Sequence, residues 1–340
     1  MHPFRFAVQV SELDFDTWRE RVRWYEELGF SVISTPDHYL MQQWDPVALQ
    51  AAVAAETTLA GVGSTVLNVG LRQPIDLARM SATVAAIAAG GCELGIGAGW
   101  MSDDYDIAGT PFDDPRTRLA RLNESVEVIK RLWSQESTTF SGKYVSVQDA
   151  PAVLPLPLPA RPKLLLGGTM RHALGIAGRH ADIVSVFPSV ASGKIGWPGW
   201  AAGSTVERTA KQTEWAREGA RQAGRDPQDL EFSTQVTFTG VAPDPAPVQE
   251  QVALATGVSP SAQDDSTIFL TGTPAQARER LQRRREVTGL SYFVVFDLAN
   301  NYANPDGAGL PTLPGGSGPA GYDEYMEAFS EAVIQPLTGQ

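Results

Sequence analysis

Cysteine is nearly missing from this chain. Cys92, in the apolar run CELGIG, is the one thiol. No disulfide can form within the chain, which excludes a disulfide-stapled fold. Cys92 itself reads as a small buried hydrophobe. Long apolar runs are also missing, and none approaches the ~20 residues of a membrane helix. The opening MHPFRFAVQV has strand alternation and no basic segment followed by an apolar one, so no signal peptide is expected. These absences point to a soluble cytoplasmic protein with no membrane partner. Positive charge is short as well: 27 Lys and Arg face 39 Asp and Glu, for a net charge of −12. Such a surface repels phosphate backbones, so nucleic acid is not an expected partner. An anionic ligand would need a local device, such as a helix N-terminus or a few arginines. There are four histidines and no HxxxH or HxE grouping, so no metal site is expected. No G-x-S-x-G elbow is present either.

What the chain does have is a rhythm. Its 340 residues, 43% hydrophobic, suffice for a sizeable core in one large domain or two. FRFAVQV places Phe4, Phe6, Val8 and Val10 on one face, the period of a strand. Trp18, Val22, Tyr25 and Leu28 then follow helical spacing, stopped by Gly29. FSVIST is a second strand, and Pro46 opens an Ala-rich helix. The beat continues through strands GVGSTVLNVG, CELGIGAG, PKLLLGG, ADIVSVF, LEFSTQVTFTG and LSYFVVFDLA, most of them followed by a helix. Strands alternating with helical crossovers form parallel sheets. An open doubly wound sheet and a closed barrel compete. Eight units in an unbroken series favour the α/β TIM (β/α)8 barrel, here as one domain over residues 1–340.

Three stretches interrupt the beat. Residues 135–162 suggest a small hairpin and a Pro-rich connector. Residues 187–203 are rich in Gly, Pro and Trp, and residues 300–322 in Gly, Pro and Asn. The last two follow strands, where barrel loops form the active-site mouth, so they are read as insertions able to wall a substrate. YDEYMEAFSEAVIQPL reads as a closing amphipathic helix.

Few residues suggest chemistry. Gly95, Gly97 and Gly99 partly match a dinucleotide fingerprint, but the third glycine should fall at Trp100, and no acidic strand end follows at the required distance. The small residues either admit a flat ring or serve close packing. LLLGGTMRHAL runs a strand through Gly167-Gly168-Thr169 straight into a helix, an arrangement that offers backbone N–H groups to an anion, with Arg171 nearby. An ordinary strand–helix turn is the other reading. His172 and His180 fall in or beside that helix and read as structural, and His2 as part of a frayed terminus. Asp37 and His38 differ, because STPDHYL ends a strand in polar residues and leads to Trp44.

Together GFSVISTPDHYL, LNVGLRQPIDLARMSATV, ELGIGAGW, RLNESVEVIKRLW, FSGKYV and KLLLGGTMRHALGIAGRHADIVSV resemble, in order, the bacterial luciferase-like superfamily, above all its deazaflavin (coenzyme F420)-dependent oxidoreductases. The likeness is good over about Phe4 to Val186 and looser beyond. It implies a luciferase-like TIM barrel with coenzyme F420, or alternatively FMN, lying over the strand ends. It implies a non-prolyl cis peptide at Thr65-Val66, with Ser64-Thr65 as the one-residue slip. It also places Asp37, His38, Trp44, Ala98 and Gly99 near the ring and Gly167, Gly168, Thr169 and Met170 around the phosphate. One departure stands out. Sugar-phosphate dehydrogenases of the group carry a Glu where this chain has Trp100 or Met101.

The resemblance therefore implies an F420-dependent oxidoreductase moving a hydride to or from a small organic substrate. His38 is the catalytic acid or base, and Asp37 binds the ring or fixes the imidazole. The alternatives are an FMN-dependent monooxygenase fed by a separate reductase, and a non-catalytic ligand-binding barrel. Relatives often dimerise, so a homodimer is also implied.

Overall fold

In a computed structural model, the apolar runs close into a cylinder of eight parallel strands. The residues it describes are 1–10, 13–14, 16–40, 44–154, 160–188, 197–296 and 319–339. The barrel strands are β1 (Arg5–Gln9), β2 (Val32–Thr35), β3 (Gly61–Ser64), β4 (Cys92–Gly97), β5 (Lys163–Gly168), β6 (Ile183–Val186), β7 (Glu231–Val236) and β8 (Leu290–Phe296). Each pairs in parallel with the next, and β8 pairs with β1 to shut the ring. A short strand, Leu67–Asn68, continues beyond β3 and pairs with the end of β4. The expected barrel is the observed one.

Local chemistry starts the crossover helices. These are α1 (Trp18–Glu27), α2 (Pro46–Glu56), α3 (Pro74–Ile87), α4 (Pro115–Leu132), α5 (Arg171–His180), α6 (Val206–Gln222), α7 (Pro274–Thr288) and α8 (Pro319–Phe329). Asp45 and Asp114 each accept two backbone N–H bonds and hand over to a proline at the first helical position. Thr273 and Gln276 form a reciprocal capping box at α7. The helices press their apolar sides on the outside of the barrel, and the inside is filled by Ala7, Val32, Leu165, Ile183, Tyr292 and Val294.

The two ends of the barrel differ. At the N-terminal end Arg5 is paired with Glu93 at 2.5 Å and with Glu231 at 2.6 Å. Tyr292 donates to Glu93 at 2.9 Å, and the Arg5 guanidinium lies 3.7 Å from the Tyr292 ring centroid. These side chains fill that end with a satisfied ionic plug. The C-terminal end is floored by Gln9, Ser34, Thr65 and Gln235. The Thr65 hydroxyl donates to Gln9 at 2.6 Å, and the Gln235 amide donates to Gln9 and to the Thr65 carbonyl.

The additions to the barrel correct several expectations. LEFSTQVTFTG is not one strand. β7 ends at Val236, and a separate strand, Phe238–Val241, pairs in parallel with Phe269–Gly272 across two helices, Ala246–Thr256 and Pro260–Asp265. The unbroken β-branched and aromatic pattern hides the break, which is set by long-range pairing: Thr237 and Phe238 both donate to the Ile268 carbonyl. Phe238 and Phe269 stack at 5.1 Å in a second small core with Trp200, Val248 and Val252. Trp200 comes from a helix, Trp197–Gly203, inside the stretch read as loop. Within 135–162, Ser137–Ser141 and Ser146–Pro151 form an antiparallel hairpin. Its turn is held by Glu124 of α4, which accepts from the N–H groups of Lys143, Tyr144 and Val145. Of the stretch 300–322, residues 300–318 lie outside the described residues. The closing helix buries Met326, Phe329, Val333 and Ile334 against the main core.

Candidate active site

The polar residues singled out in the sequence converge on the open end of the barrel. β2 runs out through Pro36 to Asp37 and His38. Asp37 is buried and turns into the protein: its carboxylate accepts the Asn68 N–H at 3.0 Å and two bonds from Arg72, at 2.9 and 2.8 Å. Burial works against the Arg72 charge. The Asp37 hydrogen bonds and negative charge outweigh it and hold the guanidinium pKa above its ordinary value. This pair ties the β2 end to the loop after β3.

His38 is oriented by a residue the sequence reading passed over. Its Nδ1 lies 2.7 Å from Oδ2 of Asp104, whose other oxygen accepts the Tyr39 N–H at 2.9 Å. Asp104 is only 2% exposed and sits in a short helix, Ser102–Ile107, beyond β4. The imidazole is therefore fixed by Asp104, not by Asp37.

The peptide bond between Thr65 and Val66 is cis. Val66 then lies between strands β4 and β5. A Cβ at Gly97 would come within 2.8 Å of the Val66 side chain, and one at Gly95 within 1.8 Å of the Ser64 carbonyl oxygen. Those two glycines thus serve close strand packing, and the partial fingerprint is not a nucleotide site. Gly99 differs, with a φ of +78° that favours glycine. Tyr105 reaches back beneath Ala98 and Gly99, donating to Asn68 Oδ1 at 3.0 Å and lying 3.2 Å from the Ala98 carbonyl. Burial pushes the Tyr105 pKa up and keeps it a donor.

Gly167 at the end of β5 is open: an added Cβ would meet nothing closer than 4.0 Å. Gly168 packs against Ala173 and Leu174. Met170 precedes α5 and no side chain caps that helix, so its first N–H groups have no side-chain acceptor. The carbonyl of Thr169 is anchored by the buried Gln212 amide at 3.0 Å. Arg171 is close but is paired with Glu218 at 2.7 Å. This open, uncapped turn fits the phosphate of a cofactor tail. Trp44 stands half-buried against the main core at the start of α2.

Above these residues runs a chain of aromatic edges. His38 meets Trp100 at 5.6 Å, Trp100 meets Trp200 at 6.3 Å, and Trp200 meets Phe187 at 5.1 Å. Arg72, Asp104, Tyr105 and Trp200 were not singled out in the sequence. Their contacts span tens of residues and leave no local pattern. Among the described residues, no group of three His, Cys, Asp or Glu side chains could hold a metal, and no helix is long and apolar enough to cross a membrane.

The chain is similar to several known proteins. An F420-dependent glucose-6-phosphate dehydrogenase of Kineococcus radiotolerans is 37% identical over 134 residues, which cover 37% of this chain and 39% of that protein. Its counterpart in Kribbella flavida is 28% identical over 219 residues, 62% of this chain and 61% of that protein. The matched stretches thus span between about two-fifths and three-fifths of these relatives. Among solved structures, an F420-dependent secondary alcohol dehydrogenase in complex with an F420–acetone adduct superposes with a TM-score of 0.76 at 17% identity, covering 99% of each chain. The coenzyme F420-dependent tetrahydromethanopterin reductase of Methanopyrus kandleri does so at 0.71 and 18% identity, covering 99% of this chain and all of that one. These two likenesses are likenesses of fold. Residues 1–291, most of the chain, match the family described as luciferase-like monooxygenase, and the chain belongs to that family.

Proposed function

We propose that the protein is an oxidoreductase that uses coenzyme F420 to transfer a hydride to or from a small organic substrate. The observation that carries this reading is His38, held at the barrel mouth by the buried Asp104. The likeness to F420-dependent dehydrogenases supports the choice of cofactor. When bound, the deazaflavin supplies the hydride chemistry.

The chain's own residues have separate tasks. The turn Gly167–Met170 would hold the phosphate, with Gly167 allowing close backbone approach. Val66, Ala98 and Gly99 would face the ring. Asp37 and Arg72 brace the loop from which His38 projects. His38 would hold the proton that accompanies the hydride, and Asp104 fixes its ring through Nδ1. The aromatic edges exclude water from the reacting face.

Titration of the purified protein with coenzyme F420, followed by cofactor fluorescence, tests the reading. A saturable change with F420 and a weaker one or none with FMN is the expected result. Saturation with FMN alone would shift the assignment to a flavin monooxygenase, and a flat response to both would leave a non-catalytic barrel.

A further inference from the structure

Charge around the mouth is one-sided. The described residues that lead from each barrel strand to its helix include two acidic side chains after β1, two after β2, five after β4 and four after β7. Their one cation is Arg72, and its guanidinium is taken by Asp37. The remaining residues of these connections add Glu12, Asp297 and Asp306 to the sequence against Lys194 alone. The described residues after β3, β5 and β6 are free of carboxylates, and after β5 the uncapped turn opens onto Arg171. The turn suited to a cofactor phosphate is thus free of carboxylates, whereas the connection that brings Asp104 to His38 holds five. Where substrate would meet His38, the wall is Trp100, backed by Trp200 and Phe187.

A phosphorylated substrate needs a cation or an uncapped helix start to replace its hydration. Among the described residues, the wall beside His38 offers no Lys or Arg, and the short helix that starts beside it at Ser102 carries Asp103 and Asp104 in its first turn, which would repel the anion. We infer that the substrate is an uncharged carbonyl compound, or the matching alcohol, with an aromatic or aliphatic body, and that Trp100 is its specificity determinant. Phosphorylated sugars are excluded, although the curated relatives are glucose-6-phosphate dehydrogenases. In the reducing direction the bound deazaflavin would supply the hydride to the carbonyl carbon and His38 the proton to its oxygen, giving the alcohol. The inference rests on the hydride-transfer reading above.

Calorimetric titration of the cofactor-free protein with 2-acetylnaphthalene and, separately, with glucose 6-phosphate tests it. The expected result is saturable ketone binding at least about tenfold tighter than sugar-phosphate binding. Trp100→Ala should weaken the ketone about tenfold, and Trp100→Phe should keep most of the affinity, with both variants melting like the parent. Equal or tighter binding of glucose 6-phosphate, no saturable ketone binding, or indifference to Trp100→Ala would overturn the inference. F420 titration is scored separately. Ketone binding without F420 binding would sink only the cofactor reading, and F420 binding with glucose 6-phosphate binding only this one.

Discussion

Replacing Asp104 by Asn separates the chemistry of His38 from its support. In the native site one carboxylate oxygen receives the Tyr39 N–H and the other meets His38 Nδ1. Asn fits the same space, keeps an acceptor for Tyr39 and offers its amide N–H to Nδ1. The fold therefore loses less than about 1 kcal/mol, or roughly 2 °C in melting temperature. The tautomer is reversed, however, and the carboxylate charge beside Nδ1 is gone. A charge-assisted hydrogen bond contributes about 1.5–3 kcal/mol. If it acts on the proton transfer, kcat falls about 10- to 100-fold. KM for F420 should hold steady, because Asp104 does not face the phosphate turn. Asp104→Ala is the structural control: it orphans Tyr39 N–H and His38 Nδ1 together and should cost about 2–4 kcal/mol of stability as well. The assay is steady-state reduction of an uncharged ketone, followed by loss of the reduced cofactor, in parallel with thermal melts. A His38→Ala background supplies the sharpest comparison, since Asp104→Asn should add no further loss there. Wild-type kcat in Asp104→Asn, or the same loss with His38 already removed, would refute the role given to this pair.

Two glycines give opposite expectations. Gly95→Ala drives a Cβ into the Ser64 backbone and should lower the melting temperature strongly, whereas Gly167→Ala should melt like the parent yet weaken F420 binding at least about tenfold; unchanged affinity in Gly167→Ala would remove the phosphate turn from its assigned place. Acid sensitivity should trace in part to His180, whose pKa is lowered from 6.5 to about 4 by burial and by the nearby charges of Lys130 and Arg179. The unfolded chain binds a proton that the native site resists, so this contribution is complete above pH ~6.5 and fades as pH falls toward ~4. With allowance for its partial exposure it amounts to about 1–2 kcal/mol. Denaturant melts across that range should be less pH-dependent in His180→Asn, and an identical slope would assign the sensitivity elsewhere.

The barrel was legible because strand and helix periods alternate with little ambiguity, and because prolines and Asp or Thr caps mark the helix starts. The small strand–helix–strand unit after β7 was not, since TFTG carries the pattern of β7 onward and only its partner at Phe269–Gly272 distinguishes it. Asp37 and His38 stood out as polar residues at the end of an apolar run. Their roles did not, because each role is set by a residue far along the chain: Arg72 for one and Asp104 for the other. Nothing in SDDYD marks which aspartate reaches back 66 positions. Trp200 was hidden for a similar reason, inside a Gly- and Pro-rich stretch whose helix is stabilised by packing against Phe187 and Trp100.

The ionic plug of Arg5, Glu93, Glu231 and Tyr292 has a kinetic corollary. A vessel stoppered at its base has a single doorway, so cofactor and substrate must queue through one opening. Whichever enters second holds the first in place, and the last to arrive is the first to depart. A tight dead-end occupant of the aromatic pocket would therefore slow escape of whatever is already seated.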